Sequence, residues 1–258
     1  MAGELAAKAA ADGFDLVLAA GGDGTINEAV NGMVGSPVAF GTLPAGTANV
    51  LANELGLRNR PDHAASQLLE AVPTRISVGA LDRPGAVRRH FLLMTGVGLD
   101  ALIVHNLDLG LKARFGKLAY WHGGFTNMGR ATAQFPVEID GVARKATFAL
   151  ITRVRNYGGD FEIARKVRLT DADFEVVLFE NGNWYDYVKY FGAVLVDRLY
   201  QTPGVTVVRA TKVLLKPSDA GEIHVQTDGE LMGTLPATVT SVPDAISLLL
   251  PTGYAQKR

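Results

Sequence analysis

Over the first third of the chain the hydrophobic positions change period several times. Residues 14–20 (FDLVLAA) form a short apolar run with one charge, the pattern of a strand buried on both faces. Residues 37–42 (PVAFGT) read as a second such strand. Between them Ile26, Ala29, Val30 and Met33 recur at i, i+3, i+4 and i+7, which predicts a helix. Alanine-rich residues 4–11 predict another helix. Residues 49–55, closed by Gly56, and residues 62–72, with Asp62 as N-cap, predict two more. Strands alternating with short helices imply a parallel α/β sheet.

Past Pro73 the pattern becomes one of strands. Residues 75–81, 89–95, 135–139, 145–154, 174–179, 205–209, 212–215, 223–227 and 237–240 carry it. Asp140-Gly141 and Asp228-Gly229 are two-residue hairpin signals between alternating runs. Helical interruptions are predicted at 112–128 and 184–199. The run at 245–250 fits either half. The expected architecture is an α/β domain over 1–73 and a mostly antiparallel β-sandwich over 74–242. The segment 243–258 can return to the first domain.

Composition narrows the chemistry. With 25 basic and 26 acidic side chains in 258 residues, the net charge is −1, so there is no electrostatic case for a nucleic-acid partner. No cysteine is present, which excludes a disulfide scaffold, a thiolate zinc site and a cysteine nucleophile. The five histidines show neither an i, i+4 pair nor an H-E-x-x-H motif. No apolar run approaches the roughly 18 residues of a membrane span. Glu4 and Asp12 interrupt the N-terminal stretch, which does not read as a signal peptide, and a cytoplasmic protein is expected.

The strongest local signal is Gly21-Gly22-Asp23-Gly24-Thr25, which follows a buried strand and opens a helix. Thr25 and Glu28 have the spacing of a capping box. The glycines let backbone approach a ligand, and the free N–H groups of the helix start form an anion site. Gly-Asp-Gly is also ordinary loop chemistry. A second loop, LPAGTAN (43–49), repeats the plan one β-α unit later, with Thr47 placed to cap the next helix. Two such loops at the ends of adjacent parallel strands would face one crevice. No Walker A loop occurs, so a P-loop kinase is excluded. Asp171, Asp173 and Glu175 alternate and would share one face if the whole stretch were a strand. Carboxylates there suit a hard cation such as Mg²⁺, or simply a solvated strand edge. Asp228-Gly229 is what a type I′ turn asks for, with Glu230 opening the return strand.

GGDGTINEAVNG followed by LPAGTANVLANELG resembles the catalytic domain of the diacylglycerol kinase-like lipid kinases. The likeness continues through FLLMTGVGLDA (91–101), TDADFEVV (170–177) and VQTDGE (225–230). It implies a nucleotide-binding domain like that of NAD kinases and phosphofructokinases, followed by a β-sandwich. It also implies ATP and Mg²⁺ as cofactors and a lipid such as diacylglycerol as acceptor. Gly21, Gly22, Asp23, Gly24, Thr25, Asn27, Glu28 and Thr47 would line the ATP site. Asp171, Asp173 and the Arg168 carbonyl would hold a structural Mg²⁺. Glu230 would be the general base, with Asp228 beside it and Asp23 assisting. Action peripherally at the inner membrane surface, and pairing into a homodimer, are part of the same expectation.

Family members begin with a further strand and an N-P-x-[SA]-G loop, which the chain as written is expected to lack. That leaves a catalytically impaired nucleotide- or lipid-binding module as one alternative. An NAD kinase-like enzyme is another, although Asn49-Val50 stands where such enzymes carry Asn-Glu. A dinucleotide fingerprint at Gly96-x-Gly98-x-x-Ala101 lacks the acidic residue that should follow about twenty positions on.

Overall fold

A computed structural model describes residues 1–57, 60–98, 133–157 and 161–256. The predicted helix at 112–128, with Ala101, His105 and His122, lies outside the described residues. In order, the first region runs α1 (Ala2–Ala11), β1 (Leu16–Gly21), α2 (Asp23–Met33), β2 (Ala39–Pro44), α3 (Val50–Glu54) and α4 (Pro61–Leu68). Then come β3 (Val72–Asp82), β4 (Arg89–Phe91), β5 (Met94–Gly98), β6 (Phe135–Ile139), β7 (Val142–Ala146) and β8 (Phe148–Thr152). They are followed by β9 (Asn156–Tyr157), β10 (Phe161–Glu162), β11 (Phe174–Phe179) and α5 (Trp184–Leu195). The chain closes with β12 (Val205–Ala210), β13 (Lys212–Leu215), β14 (His224–Thr227), β15 (Glu230–Thr234), β16 (Ala237–Leu250) and α6 (Thr252–Gln256).

β1 and β2 are parallel, in register from Leu16 opposite Ala39 to Gly21 opposite Pro44. Their ends therefore coincide, and the two loops that follow them emerge side by side. Beyond β2 lies β16, whose Ser247 and Leu248 continue the parallel pairing. The first half of β16 pairs antiparallel with β13, and β3 runs antiparallel along both halves. One strand thus ties the α/β region to the sandwich. The second sheet, ordered β12-β11-β8-β5-β14-β15, is antiparallel throughout. Between the sheets lies a core that includes Val97, Phe135, Ile151, Phe174, Val213 and Val239. The architecture is a parallel α/β layer followed by an antiparallel β-sandwich.

Several predicted elements are redrawn by long-range contacts. The run 89–95 divides into β4 and β5 because the Leu92 and Leu93 N–H groups turn to a side chain, the Asp228 carboxylate, instead of a neighbouring strand. The run 145–154 breaks at Thr147, whose N–H and hydroxyl both donate to the Phe179 carbonyl. The runs at 237–240 and 245–250 fuse into β16 across a register shift between Val242 and Ile246, where Asp244 has φ 47°. The predicted helix 184–199 ends at Leu195, with Asp197 at φ 62°. The helix predicted from Asp62 starts at Pro61, with Arg60 as N-cap. Gly96 and Gly98 stand inside antiparallel β5, so no dinucleotide turn forms there.

Both Asp-Gly hairpins form as read. Asp140 and Gly141 have φ of 46° and 84°, Asp228 and Gly229 of 48° and 83°, the double positive φ of a type I′ turn. The second of these turns places β15, and with it Glu230, next to the first region.

Candidate active site

The loops after β1 and β2 touch through glycine. A Cβ added to Gly46 would lie 2.4 Å from the Gly22 Cα, and one added to Gly22 would lie 3.3 Å from the Gly46 Cα. The Ala45 N–H donates to the Gly21 carbonyl at 3.1 Å. Side chains at these positions would hold the loops apart. Gly46→Ala is therefore expected to cost about 1–3 kcal/mol through overpacking against backbone. Thermal unfolding checks this, and the midpoint gain on adding Mg-ATP should shrink in the same variant.

Asp23 joins the loops differently from the sequence expectation. It is the first residue of α2, and its Oδ1 accepts the Val50 N–H at 2.8 Å, capping α3 from outside. Burial pushes its carboxyl above the ordinary value, against the pull of backbone hydrogen bonds from Val50 and Leu51. α3 needs this external cap because its own N-cap, Asn49, turns its side chain back to Gly46. There Oδ1 accepts the Gly46 N–H and Nδ2 donates to the Gly46 carbonyl, each at 2.9 Å. Thr47, expected as that cap, lies exposed in the loop.

The capping box of Thr25 and Glu28 does not form. α2 begins at Asp23 with Gly22 as N-cap. Thr25 is exposed and folds over Gly21, where a Cβ would meet its side chain at 2.7 Å. Glu28 instead reaches the start of α1, accepting the Ala2 N–H at 2.9 Å. α1 and α2 pack closely enough there for the side chain of one to cap the other. A Cβ on Gly32 would lie 2.1 Å from the Gly3 carbonyl oxygen.

Asn27 is buried on the inner face of α2, and its Nδ2 donates to Asp228 Oδ2 at 2.8 Å. The Asp228 carboxylate also accepts the N–H groups of Leu92, Leu93 and Met94 at 3.0, 3.1 and 2.9 Å. Burial raises this carboxyl to about 6 despite those four donors. With its oxygens engaged in this way, Asp228 fastens α2 and the β4–β5 connection to the β14–β15 turn. Asn31, one turn beyond Asn27, completes the clamp: its Oδ1 accepts the His90 N–H at 2.8 Å and its Nδ2 donates to the His90 carbonyl at 2.9 Å. Sequence reasoning passed over Asn31. The available signal was an i, i+4 pair of asparagines on a helix whose neighbouring positions are apolar.

Glu230 opens β15, two residues beyond Asp228. A Cβ on Gly24 would lie 3.6 Å from Glu230 Oε1, so the carboxylate faces the first turn of α2. Its Oε2 accepts from Arg89 Nη2 at 2.9 Å. The side chains of Arg89 and Glu230 are 28% and 40% exposed, so the pair is reachable from solvent. A carboxylate, a guanidinium and the positive end of an 11-residue helix thus converge on one glycine-bordered crevice. This set can bind phosphate and accept a proton from a nearby hydroxyl.

The acidic turn lies apart from this crevice. β11 begins at Phe174, so Asp171 and Asp173 precede it instead of sharing a strand face with Glu175. Asp171 Oδ2 accepts from Arg209 Nη2 at 2.6 Å and from the Arg168 N–H at 3.0 Å. Asp173 Oδ2 accepts from Arg209 Nε at 2.9 Å. That hydrogen-bonded ion pair holds the Asp173 carboxyl below its ordinary value and raises Arg209 above its own. The Arg168 carbonyl accepts the Asp171 N–H at 2.9 Å. Glu175 is buried, accepting the Lys166 N–H at 2.8 Å and the Tyr200 hydroxyl. The oxygen chemistry suits a hard cation, but in this arrangement a guanidinium already fills the carboxylates. Among the described residues no group of three or more His, Cys, Asp or Glu side chains is placed to hold a metal ion.

Comparison with known proteins agrees with this two-part plan. The diacylglycerol kinase catalytic domain model matches residues 1–81, and the YegS C-terminal NAD kinase beta sandwich-like domain model matches residues 94–250. The diacylglycerol kinase of Bacillus subtilis (strain 168) is 26% identical over 258 residues, covering 98% of this chain and 83% of that protein. That of Mycobacterium tuberculosis (strain H37Rv) is 25% identical over 252 residues, covering 96% and 80%. A crystal structure of a diacylglycerol kinase from Bacillus anthracis str. Sterne shares the fold with a TM-score of 0.77 at 21% identity, covering 98% of this chain and 83% of that one. With a kinase catalytic domain in front and a sandwich domain of the matching type behind, the chain belongs to the diacylglycerol kinase-like family.

Proposed function

We propose that the protein transfers the γ-phosphate of ATP to the hydroxyl of a lipid such as diacylglycerol, with Glu230 as general base. The observation that carries this reading is the Glu230 carboxylate facing Gly24 at the start of α2, in the first of the two touching glycine loops. Gly21, Gly22, Gly24, Thr25 and Thr47 border the crevice in which the triphosphate lies. Asp23 and Asn27 hold its walls through their bonds to Val50 and Asp228. Mg²⁺ arrives with the nucleotide, as its phosphate counter-ion.

Phosphoryl transfer asks the protein mainly for alignment and for charge opposite the transferring group. Glu230 takes the acceptor O–H proton as that oxygen bonds to the γ-phosphorus. The bond to the β-phosphate oxygen breaks, and ADP leaves with its electron pair. In this reading the enzyme meets its lipid peripherally at the inner membrane surface; separately, no described helix is long and apolar enough to cross a membrane. The test is transfer of labelled γ-phosphate from Mg-ATP into a total lipid extract. One labelled lipid species supports the reading and identifies the acceptor. Mg-ATP binding without any labelled lipid would favour a nucleotide-binding module.

A further inference from the structure

We propose that Arg89 is a positioning residue for Glu230, selecting which carboxylate oxygen takes the proton. This assignment rests on the kinase reading above and goes beyond it, because neither the glycine loops nor the Asp-Gly-Glu segment includes Arg89. The guanidinium holds one oxygen only: Nη2 donates to Glu230 Oε2 at 2.9 Å. The other oxygen, Oε1, is the one that faces Gly24 and the crevice. Glu230 has three side-chain torsions and stands at the first position of a strand. An unheld carboxylate there would sample several rotamers, and ordering it at the moment of reaction would cost on the order of 1 kcal/mol or more.

The arginine is itself held from behind. β4 is an edge strand of three residues, paired with β3. Its other support is the asparagine pair of α2, which binds both the N–H and the carbonyl of His90. Through this clamp the helix that carries Gly24 also sets the place of Arg89. Among the described residues Arg89 Nε is buried without a hydrogen-bond partner, and Glu230 is the carboxylate that its Nη2 meets. When Oε1 accepts the hydroxyl proton the ion pair loses its negative partner. Loss of that proton to solvent after ADP departs restores the pair for the next turnover.

The experiment compares Arg89→Met, Arg89→Lys, Glu230→Gln and the double variant Arg89→Met/Glu230→Gln in the lipid-labelling assay. Arg89→Met is expected to lower kcat roughly 10- to 100-fold, the scale of a small misplacement at a reacting centre, with KM for Mg-ATP changed less than about twofold. Arg89→Lys should recover a large part of the loss, since an ammonium can still hold one oxygen. In the Glu230→Gln background, Arg89→Met should cost nothing further, because a residue acting through the base has no effect once the base is gone. Arg89→Gln replaces the methionine variant if that one does not fold. A kcat within twofold of the unaltered chain overturns the assignment. So does a loss confined to KM for Mg-ATP, which would make Arg89 a phosphate ligand, or losses that multiply in the double variant. Absence of transfer by the unaltered chain overturns the kinase reading and this assignment together, whereas an active chain indifferent to Arg89→Met overturns this assignment alone.

Discussion

Glu230→Gln is expected to lower lipid phosphorylation by 10²- to 10⁴-fold, the usual contribution of a positioned proton acceptor. Glutamine keeps the size of the side chain, and its carbonyl oxygen can still accept the hydrogen bond that Arg89 Nη2 gives to Oε2. What it cannot do is accept the hydroxyl proton. The crevice walls do not depend on this side chain, because the contacts between Gly22 and Gly46 and between Asp23 and Val50 lie on other elements. The Mg-ATP-induced rise in melting midpoint should therefore stay nearly unchanged while kcat collapses. Turnover equal to that of the unaltered chain would remove Glu230 as the base and return attention to Asp23, the other carboxylate of the loops.

Asp228→Ala should produce the largest change in stability. The substitution strips the acceptor from three buried backbone N–H groups, those of Leu92, Leu93 and Met94, and from the Asn27 amide. Buried donors left unpaired cost about 1–3 kcal/mol each before water enters. Alanine is also poorly suited to the positive φ of 48° at this turn. A net loss of about 3–5 kcal/mol is expected, roughly a 10 °C drop in midpoint for a domain of this size. Asp228→Asn retains one acceptor oxygen and tolerates the turn, so it should fall between the two. A drop of under about 2 °C for Asp228→Ala would show that the β4–β5 connection finds other partners.

The same residue gives a pH signature. Its folded value of about 6 stands above the ordinary aspartate value of 3.8, so the native state holds the proton more tightly than the unfolded chain. Between about pH 4 and pH 6 the native state binds more protons, and stability falls as pH rises through that window. Above about pH 6 this contribution is lost and the slope levels off. The difference corresponds to about 3 kcal/mol across the window. Subtracting the pH profile of Asp228→Asn from that of the unaltered chain isolates it. A difference that rises from pH 4 to pH 6 would mean that the four hydrogen bonds outweigh burial.

Much of the frame was legible in consecutive residues. The strand, loop and helix around Gly21–Thr25 follow from an apolar run, glycines and a 3.6-residue period, all within about twenty positions. The two Asp-Gly turns were readable for the same reason, since a type I′ turn asks for local positive φ and these residues supply it. The resemblance to lipid kinases implies Glu230 as the base, and the fold sets its carboxylate facing Gly24. Reasoning from adjacent residues expected Glu28 and Thr47 as partners in helix caps that the structure does not form, and it left the strand face of Asp171 and Asp173 conditional on a strand that begins only at Phe174. Local signals name what a side chain can do, and each of these had more than one partner within reach. Glu28 had a capping box on paper and a neighbouring helix start in space.

By itself the sequence determined the order of elements, the two loops of the crevice and the turn that precedes Glu230, because backbone preferences are written in a few adjacent residues. Tertiary structure alone decided which charges meet. Asn27 and Asp228 lie 201 positions apart, and Arg89 and Glu230 lie 141 apart. No local period links such positions. Their pairing appears only when β16 joins the sandwich to the parallel strands and the β14–β15 turn closes against α2. Burial then raises the Asp228 carboxyl, and solvent reaches Glu230, because the completed fold excludes water from one and leaves the other open.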